Sequence, residues 1–155
     1  MALGLPVPQL AECVEELMLD RFIGAQSQYY QTALAEIRNG KKESHWMWFI
    51  FPQIRGLGYS DIAKYFEIQS RSEAGAYSAH PVLGKRLEEI SEALLDSKTN
   101  DPVEVFGSID AMKLQASMTL FFWVSRKDVF ADVLVKYFNG VPHWGTVEIL
   151  RDMEV

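Results

Sequence analysis

Six consecutive apolar residues, Trp46-Met47-Trp48-Phe49-Ile50-Phe51, run without a break and stop at Pro52. A stretch that is apolar on every face cannot rest on a surface, so the chain must fold around it. Taken alone, the run fits either a buried strand or a helix enclosed by other elements. Helical patterns on both sides of it decide for the helix. Ser44 stands where its N-cap belongs, and Pro52 ends it. Gln53-Ile54-Arg55-Gly56-Leu57-Gly58 then reads as an ordered loop, with two glycines available for unusual backbone angles.

The rest of the chain supplies the wrapping. Residues 1–8 read as a loose, flexible tail and 9–155 as one helical domain. Leu10, Cys13, Val14, Leu17 and Met18 recur at helical spacing. A second stripe of Leu19, Phe22, Ile23, Tyr30, Ala33, Leu34 and Ile37 follows, closed by Asn39-Gly40. Gln26 falls on that apolar face, so its amide must find hydrogen bonds in a neighbouring turn or a cavity. Ser60 and Ser72 are placed to cap two short helices, and Pro81 to open the next. That helix carries Leu83, Leu87, Ile90 and Leu94 on one face, opposite Lys85, Glu88, Glu89 and Glu92.

Asp101-Pro102-Val103-Glu104 is a capping-box variant, and Gly107 separates its short helix from one running from Ser108 or Asp110 to about Trp123. Asp128 opens a further helix that Asn139-Gly140 ends, and residues 146–153 allow a last turn or two. No two-residue alternation marks a strand. The expected fold is all-α: a single compact multi-helix bundle of orthogonal type, with about seven or eight helices.

Fifteen Lys and Arg against twenty-one Asp and Glu leave a net charge of −6, which argues against nucleic acid as a partner. Cys13 is the one cysteine, so neither an intramolecular disulfide nor a cysteine-based zinc site is available. The N-terminal residues do not resemble a secretory signal, and the apolar runs are too short to span a bilayer. No membrane association is expected, and a reducing, cytoplasmic location is the natural reading.

Several segments together resemble the DUF1810 family of uncharacterised proteins, from about Asp20 to Leu150. They are Arg21-Phe22 with Ala25-Gln26, and Lys42 followed by Ser44-His45-Trp46-Met47-Trp48-Phe49 and Phe51-Pro52-Gln53. Gly56-Leu57-Gly58, Tyr65, Glu73-Ala74, His80-Pro81, Leu83-Gly84 and Arg86-Leu87 continue the match. Phe106-Gly107, Asp110, Lys113-Leu114 and Ser117-Met118-Thr119-Leu120-Phe121 complete it. The resemblance implies an all-helical domain and carries no activity with it. Glu43 and the longer N-terminal segment depart from the family pattern.

Familiar catalytic signatures are missing: no phosphate loop, no dinucleotide-binding glycine motif and no nucleophile elbow. His45, His80 and His143 lack the short spacings of a local metal motif, so no metal and no cofactor are expected. The candidate cluster is His45 as a general base, with Trp48, Gln53, Arg55, Lys113 and Ser117 as ligand-binding residues. Each has a structural reading beside it. His45 can pack at the head of an aromatic helix, and Asp110 with Lys113, at i and i+3, can form an internal ion pair. Trp46 and Trp48, about 200° apart on a helix, cannot both point the same way, so one can line a groove and stack on a planar ligand or partner, with core packing of both as the alternative.

Two functions follow as expectations. One is a pocket between the 44–58 segment and the 110–119 helix that binds, or acts on, a small anionic nucleotide-like metabolite. The other is a non-enzymatic protein–protein interaction module. Whether the chain is an enzyme stays open at this point.

Overall fold

The computed structural model describes residues 7–153, with side chains from Val14 onward. Eight helices follow one another among the described residues. They are α1 (Val7–Arg38), α2 (Met47–Ile50), α3 (Asp61–Phe66), α4 (Arg71–Ala79), α5 (Leu83–Asp96), α6 (Pro102–Ser125), α7 (Asp128–Phe138) and α8 (Trp144–Asp152). The fold is all-α, as the periodicity predicts. The expected tail, residues 1–8, lies mostly outside the described residues, and α1 already includes Val7 and Pro8.

The two apolar stripes of the N-terminal region lie on one unbroken helix of 32 residues. Among the described side chains the second is the core face: Leu19, Phe22, Tyr30, Ala33 and Ile37 are buried, whereas Val14, Leu17 and Met18 are exposed, and the side chains of Leu10 and Cys13 lie outside the description. Gln26 is buried among them, and its Nε2 donates to the Phe49 carbonyl at 2.8 Å and the Tyr77 hydroxyl at 2.9 Å. Its amide thus ties α1 to α2 and α4 in the structural role available from the sequence.

Several local expectations are corrected. The aromatic run forms a single turn of helix, Met47–Ile50, whose N-cap position is Trp46 and not Ser44. Ser70 caps α4, its Oγ accepting from Glu73 N at 3.0 Å, while the Ser72 hydroxyl donates to Glu15. Ser70-x-x-Glu73 is the stronger capping sequence, because Glu at the third helical position returns a bond to the turn: Gln69 N donates to Glu73 at 2.8 Å. Pro81 precedes α5 by two residues, and His80 takes over the cap, Nδ1 accepting from Val82 N and Leu83 N at 3.1 and 3.2 Å. The loop after Pro52 pairs with the α3–α4 connection through an isolated parallel bridge between Ile54 and Ile68, both buried. Two residues are too few to show a strand period.

Ser60 caps α3 and Asp101 caps α6, as their spacing predicts. Gly107, at φ 79° and ψ 165°, breaks α6 where the sequence places a stop, because a residue with a Cβ is strained there. Asn139, in the left-handed region, ends α7. Lys136 reaches across to the end of α5 and donates to the Leu94 and Leu95 carbonyls at 3.1 and 2.8 Å, satisfying groups the helix leaves open.

The centre of the molecule is α6, which packs on α7, α4 and α8, while α5 packs on α1, α7 and α4. An aromatic ladder crosses between them. Phe66 of α3 meets Phe22 of α1 at 5.8 Å, and Phe22 meets Tyr77 of α4 edge-on at 5.1 Å. Tyr77 meets Phe121 of α6 at 5.1 Å, which meets Phe130 of α7 at 6.1 Å. Tilted and edge-on pairs of this kind add to the area that each ring buries.

The aromatic segment enters this core through a turn held by one carboxylate. Glu36, near the end of α1, accepts at Oε1 from Glu43 N (2.7 Å), Ser44 N (2.9 Å) and Trp46 Nε1 (3.0 Å), and at Oε2 from Ser44 Oγ (2.6 Å). Trp46 is fully buried, packed near Phe51 and edge-on to Phe106. Partial burial alone would raise the Glu36 carboxyl. The hydrogen bonds from the Ser44 side chain and backbone, Glu43 N and the Trp46 indole outweigh it, and bring the group from 4.5 down to about 2.

A carboxyl lowered by folding contributes stability that is complete above its unfolded value and is lost as pH falls from about 4.5 toward about 2. Replacing Glu36→Ala is expected to lower stability by about 2 kcal/mol at neutral pH, since three N–H donors and a hydroxyl lose a charged acceptor. The deficit shrinks at about pH 3, where part of the wild-type contribution has already gone. Urea unfolding at both pH values checks this, and equal deficits at the two would contradict it.

Candidate functional site

Asp110, Lys113 and Ser117 fall at i, i+3 and i+7 on α6 and therefore form one stripe along the helix. The first two are met by the aromatic segment and its lead-in. Lys42 Nζ lies 3.0 Å from Asp110 Oδ2, and Lys113 Nζ lies 3.0 Å from Oδ1 of the same carboxylate. Lys42 is drawn in from both sides, with Nζ donating to the Ser44 carbonyl at 2.6 Å and its backbone N to the Val105 carbonyl at 2.8 Å. Burial would raise the Asp110 carboxyl, but hydrogen bonds from Lys42 and Lys113 and their charges outweigh it and hold it below the usual carboxylate range. Asp110 is therefore ionised at neutral pH and occupies the space between the two ammonium groups.

Both lysines also sit on indoles. Lys113 Nζ is 4.0 Å from the centroid of Trp48, and Lys42 Nζ is 5.1 Å from that of Trp46. Trp46, at the N-cap of α2, belongs to the core, and Trp48, within the turn, is half-buried. The loop approaches Trp48 at Gly58, where a Cβ would stand 2.5 Å from Ala63 Cβ and 3.2 Å from the indole. Only glycine allows so close a passage. Trp48 is thus bordered by Lys113 and by the Gly58 backbone.

The remaining sequence candidates separate. His45 is exposed on the bend before α2 and makes no hydrogen bond among the described residues. Arg55 is exposed too, and lines a concavity with Gly56, Glu67, Ile149 and Asp152. Gln53 and Ser117 are buried, and Gln53 Nε2 and Ser117 Oγ have no hydrogen-bond partner among the described residues. The structure therefore brings Trp48 and Lys113 into contact, leaves two buried polar atoms unanswered, and puts His45 and Arg55 in solvent. Lys42 and Glu36 carry no sequence signal as site residues, because their partners lie far along the chain or follow no periodic spacing. His143 caps α8, its Nδ1 accepting from Thr146 N at 3.2 Å, and burial holds its imidazole below the usual value.

Five concavities of the described surface are formed elsewhere, and none is lined by Trp48, Gln53, Lys113 or Ser117. The most open, about 570 Å³, lies between α1 and the end of α3, against Leu17, Met18, Asp20, Arg21, Tyr65 and Gln69. Leu17 is 69 % exposed and Tyr65 61 %, and Val14, Ile62 and Tyr59 on the same two elements and their lead-in are also exposed. Behind them the aromatic contacts are continuous: Tyr65 on Phe66 at 4.8 Å, Phe66 on Phe49 at 5.2 Å, and Phe49 on the exposed Tyr29 at 5.6 Å. Among the described residues no group of three or more His, Cys, Asp or Glu side chains gathers to hold a metal ion. None of their helices is long and apolar enough to cross a membrane.

Comparison with known families matches residues 16–150 to the model of DUF1810, described as a protein of unknown function. The chain belongs to the DUF1810 family. It is also similar to the crystal structure of a conserved hypothetical protein, Rv1873, from Mycobacterium tuberculosis, at 41 % identity and a TM-score of 0.84. That likeness covers 86 % of this chain and 96 % of the other. A comparison with curated proteins finds no match. Leu17, Met18, Ile62 and Tyr65 all fall within the part of the chain that matches the DUF1810 model, as do the Lys42–Asp110–Lys113 cluster and Trp48.

Proposed function

We propose that this DUF1810 domain is a cytoplasmic protein-interaction module whose contact face is built from the first described turns of α1 and from α3. The observation that carries the reading is the pairing of Leu17 and Tyr65, two large side chains more than half exposed, on the walls of one open concavity. Single exposed apolar residues need no explanation, but Val14, Leu17, Met18, Tyr59, Ile62 and Tyr65 concentrate on two neighbouring elements. Tyrosine and methionine suit such a face, the first as a rigid anchor and the second as an adaptable filler.

A photo-crosslinking amino acid placed at Leu17 or at Tyr65 in living cells tests this. It is expected to give the same discrete protein adduct from both positions, and none from Val135, which is equally exposed on α7. No adduct, or the same adducts from all three positions, would contradict the reading.

A second reading rests on the unanswered Gln53 Nε2 and Ser117 Oγ. In it, a small anionic, partly planar metabolite enters between the 44–58 segment and α6. Lys113 meets the anion with Arg55 at the outer edge, Trp48 stacks on the planar part, and Gln53 and Ser117 take a polar end. His45 would serve as the base if a reaction followed. Thermal unfolding against nucleotides and phosphorylated metabolites checks it. The reading predicts a rise in Tm that grows with ligand concentration and is reduced by Ser117→Ala. No rise with any of these compounds would remove it.

A further inference from the structure

We infer that the face between α1 and α3 receives a basic amphipathic helix of a partner protein; this rests on the interaction reading and adds the chemistry of the partner. The first argument is backbone geometry. Recognition by strand addition needs an exposed sheet edge, and the one bridge described here, Ile54 with Ile68, joins two buried residues. The face consists instead of two helices with a shallow trough between them, the form that accepts the apolar side of another helix.

The second argument is charge. The residues from Val14 to Arg21 and from Asp61 to Phe66 carry four acids, Glu15, Glu16, Asp20 and Asp61, against two bases, Arg21 and Lys64. Arg21 is already committed inward: its Nη2 lies 3.2 Å from Glu73 Oε1, Nε donates to the Tyr65 carbonyl at 2.8 Å, and Nη2 to the Glu67 carbonyl at 2.9 Å. Its charge is neutralised there and its donors are turned toward α3 and α4. Of the acids, Glu15 accepts from Ser72 and stays partly covered, while Glu16, Asp20 and Asp61 are exposed. Glu15 and Glu16 face the concavity toward α4, so the trough itself offers an apolar floor with Asp20 on its wall and Asp61 at the start of α3, against the single exposed base Lys64, on a chain whose net charge is −6. A second copy of this chain would set the same acids against each other, whereas lysines or arginines flanking an apolar stripe complement both the floor and its acids.

The test uses the full chain and three fluorescently labelled helical peptides of one design, with leucines on one face and lysine, glutamine or glutamate on the other. Fluorescence anisotropy is expected to show the leucine–lysine peptide binding with a Kd of about 10 µM. Raising the salt from about 0.05 M to about 0.2 M should weaken it severalfold. The glutamate peptide should bind at least about tenfold more weakly. Leu17→Ser combined with Tyr65→Ser should reduce lysine-peptide binding about tenfold, and Val135→Ser should not. Asp20→Asn combined with Asp61→Asn should reduce it while leaving the glutamine peptide unaffected. Circular dichroism of each variant confirms that it is folded.

If all three peptides bind alike and all depend on Leu17 and Tyr65, the basic partner is wrong and the interaction face stands. If the lysine peptide binds the Leu17→Ser, Tyr65→Ser protein as well as wild type, its attraction is generic and both the inference and the face are wrong. If no peptide binds, the inference of a helical partner is overturned.

Discussion

Four donors converge on the Glu36 carboxylate from a turn that has few regular backbone hydrogen bonds of its own. Without that acceptor, the Trp46 indole N–H would be buried unpaired and the Ser44 amide left partly covered without a partner, which costs more than the hydrogen bonds gain, while Glu43 N lies at the solvent edge. With it, the chain reverses after α1 and packs Trp46 against Phe51 and Phe106, which also meet each other. Everything that surrounds the aromatic segment depends on this arrangement. The bond from Gln26 to the Phe49 carbonyl, the contact of Phe49 with Phe66 and the Lys42 amide on Val105 all require the segment at one depth and one rotation.

The Lys42–Asp110–Lys113 cluster extends that anchoring to α6. Each lysine has one oxygen of the shared Asp110 carboxylate at 3.0 Å and an aromatic face nearby, so both ammonium groups have partners inside the fold while the cluster keeps one net positive charge. An arrangement already satisfied from within resembles a clasp. It holds the loop before α2 against the start of the central helix, and Gly58 closes over Trp48 from the other side. Among the described residues, open apolar side chains lie elsewhere, on the first described turns of α1 and on α3, and also at Ile109 and Met112 of α6 and Trp144 of α8.

Much of the fold can be read from local patterns, for local reasons. Leu83, Leu87, Ile90 and Leu94 repeat at helical spacing, Asp101 with Pro102 marks a helix start, and Asn139-Gly140 marks an end, so α5, α6 and α7 fall where expected. The site is less legible because its contacts are long-range. Ser44 has the chemistry of an N-cap, and nothing nearby reveals that Glu36, eight residues earlier, takes its hydroxyl. Lys42 and Asp110 are brought together by the fold alone. On α1 the stripes through Leu17 and through Leu19 look alike in sequence; which one is covered depends on where α4 and α5 lie. Whether Trp46 and Trp48 would both pack in the core is left open by the sequence, and the structure buries Trp46 at the N-cap of α2 while Trp48 stays half-buried.

The central claim is that the aromatic segment is fixed core and that the surface available for function lies on α1 and α3. Hydrogen exchange of the free protein tests it most directly. The account predicts that the amides of Phe49, Ile50 and Phe51 exchange as slowly as those of Leu114 to Phe121 in α6, only through global unfolding. It also predicts that α3, a short helix with two exposed aliphatic and aromatic side chains, exchanges through local opening. Exchange of residues 49–51 as fast as that of α3 would show a mobile segment instead of a locked one, and would contradict the account.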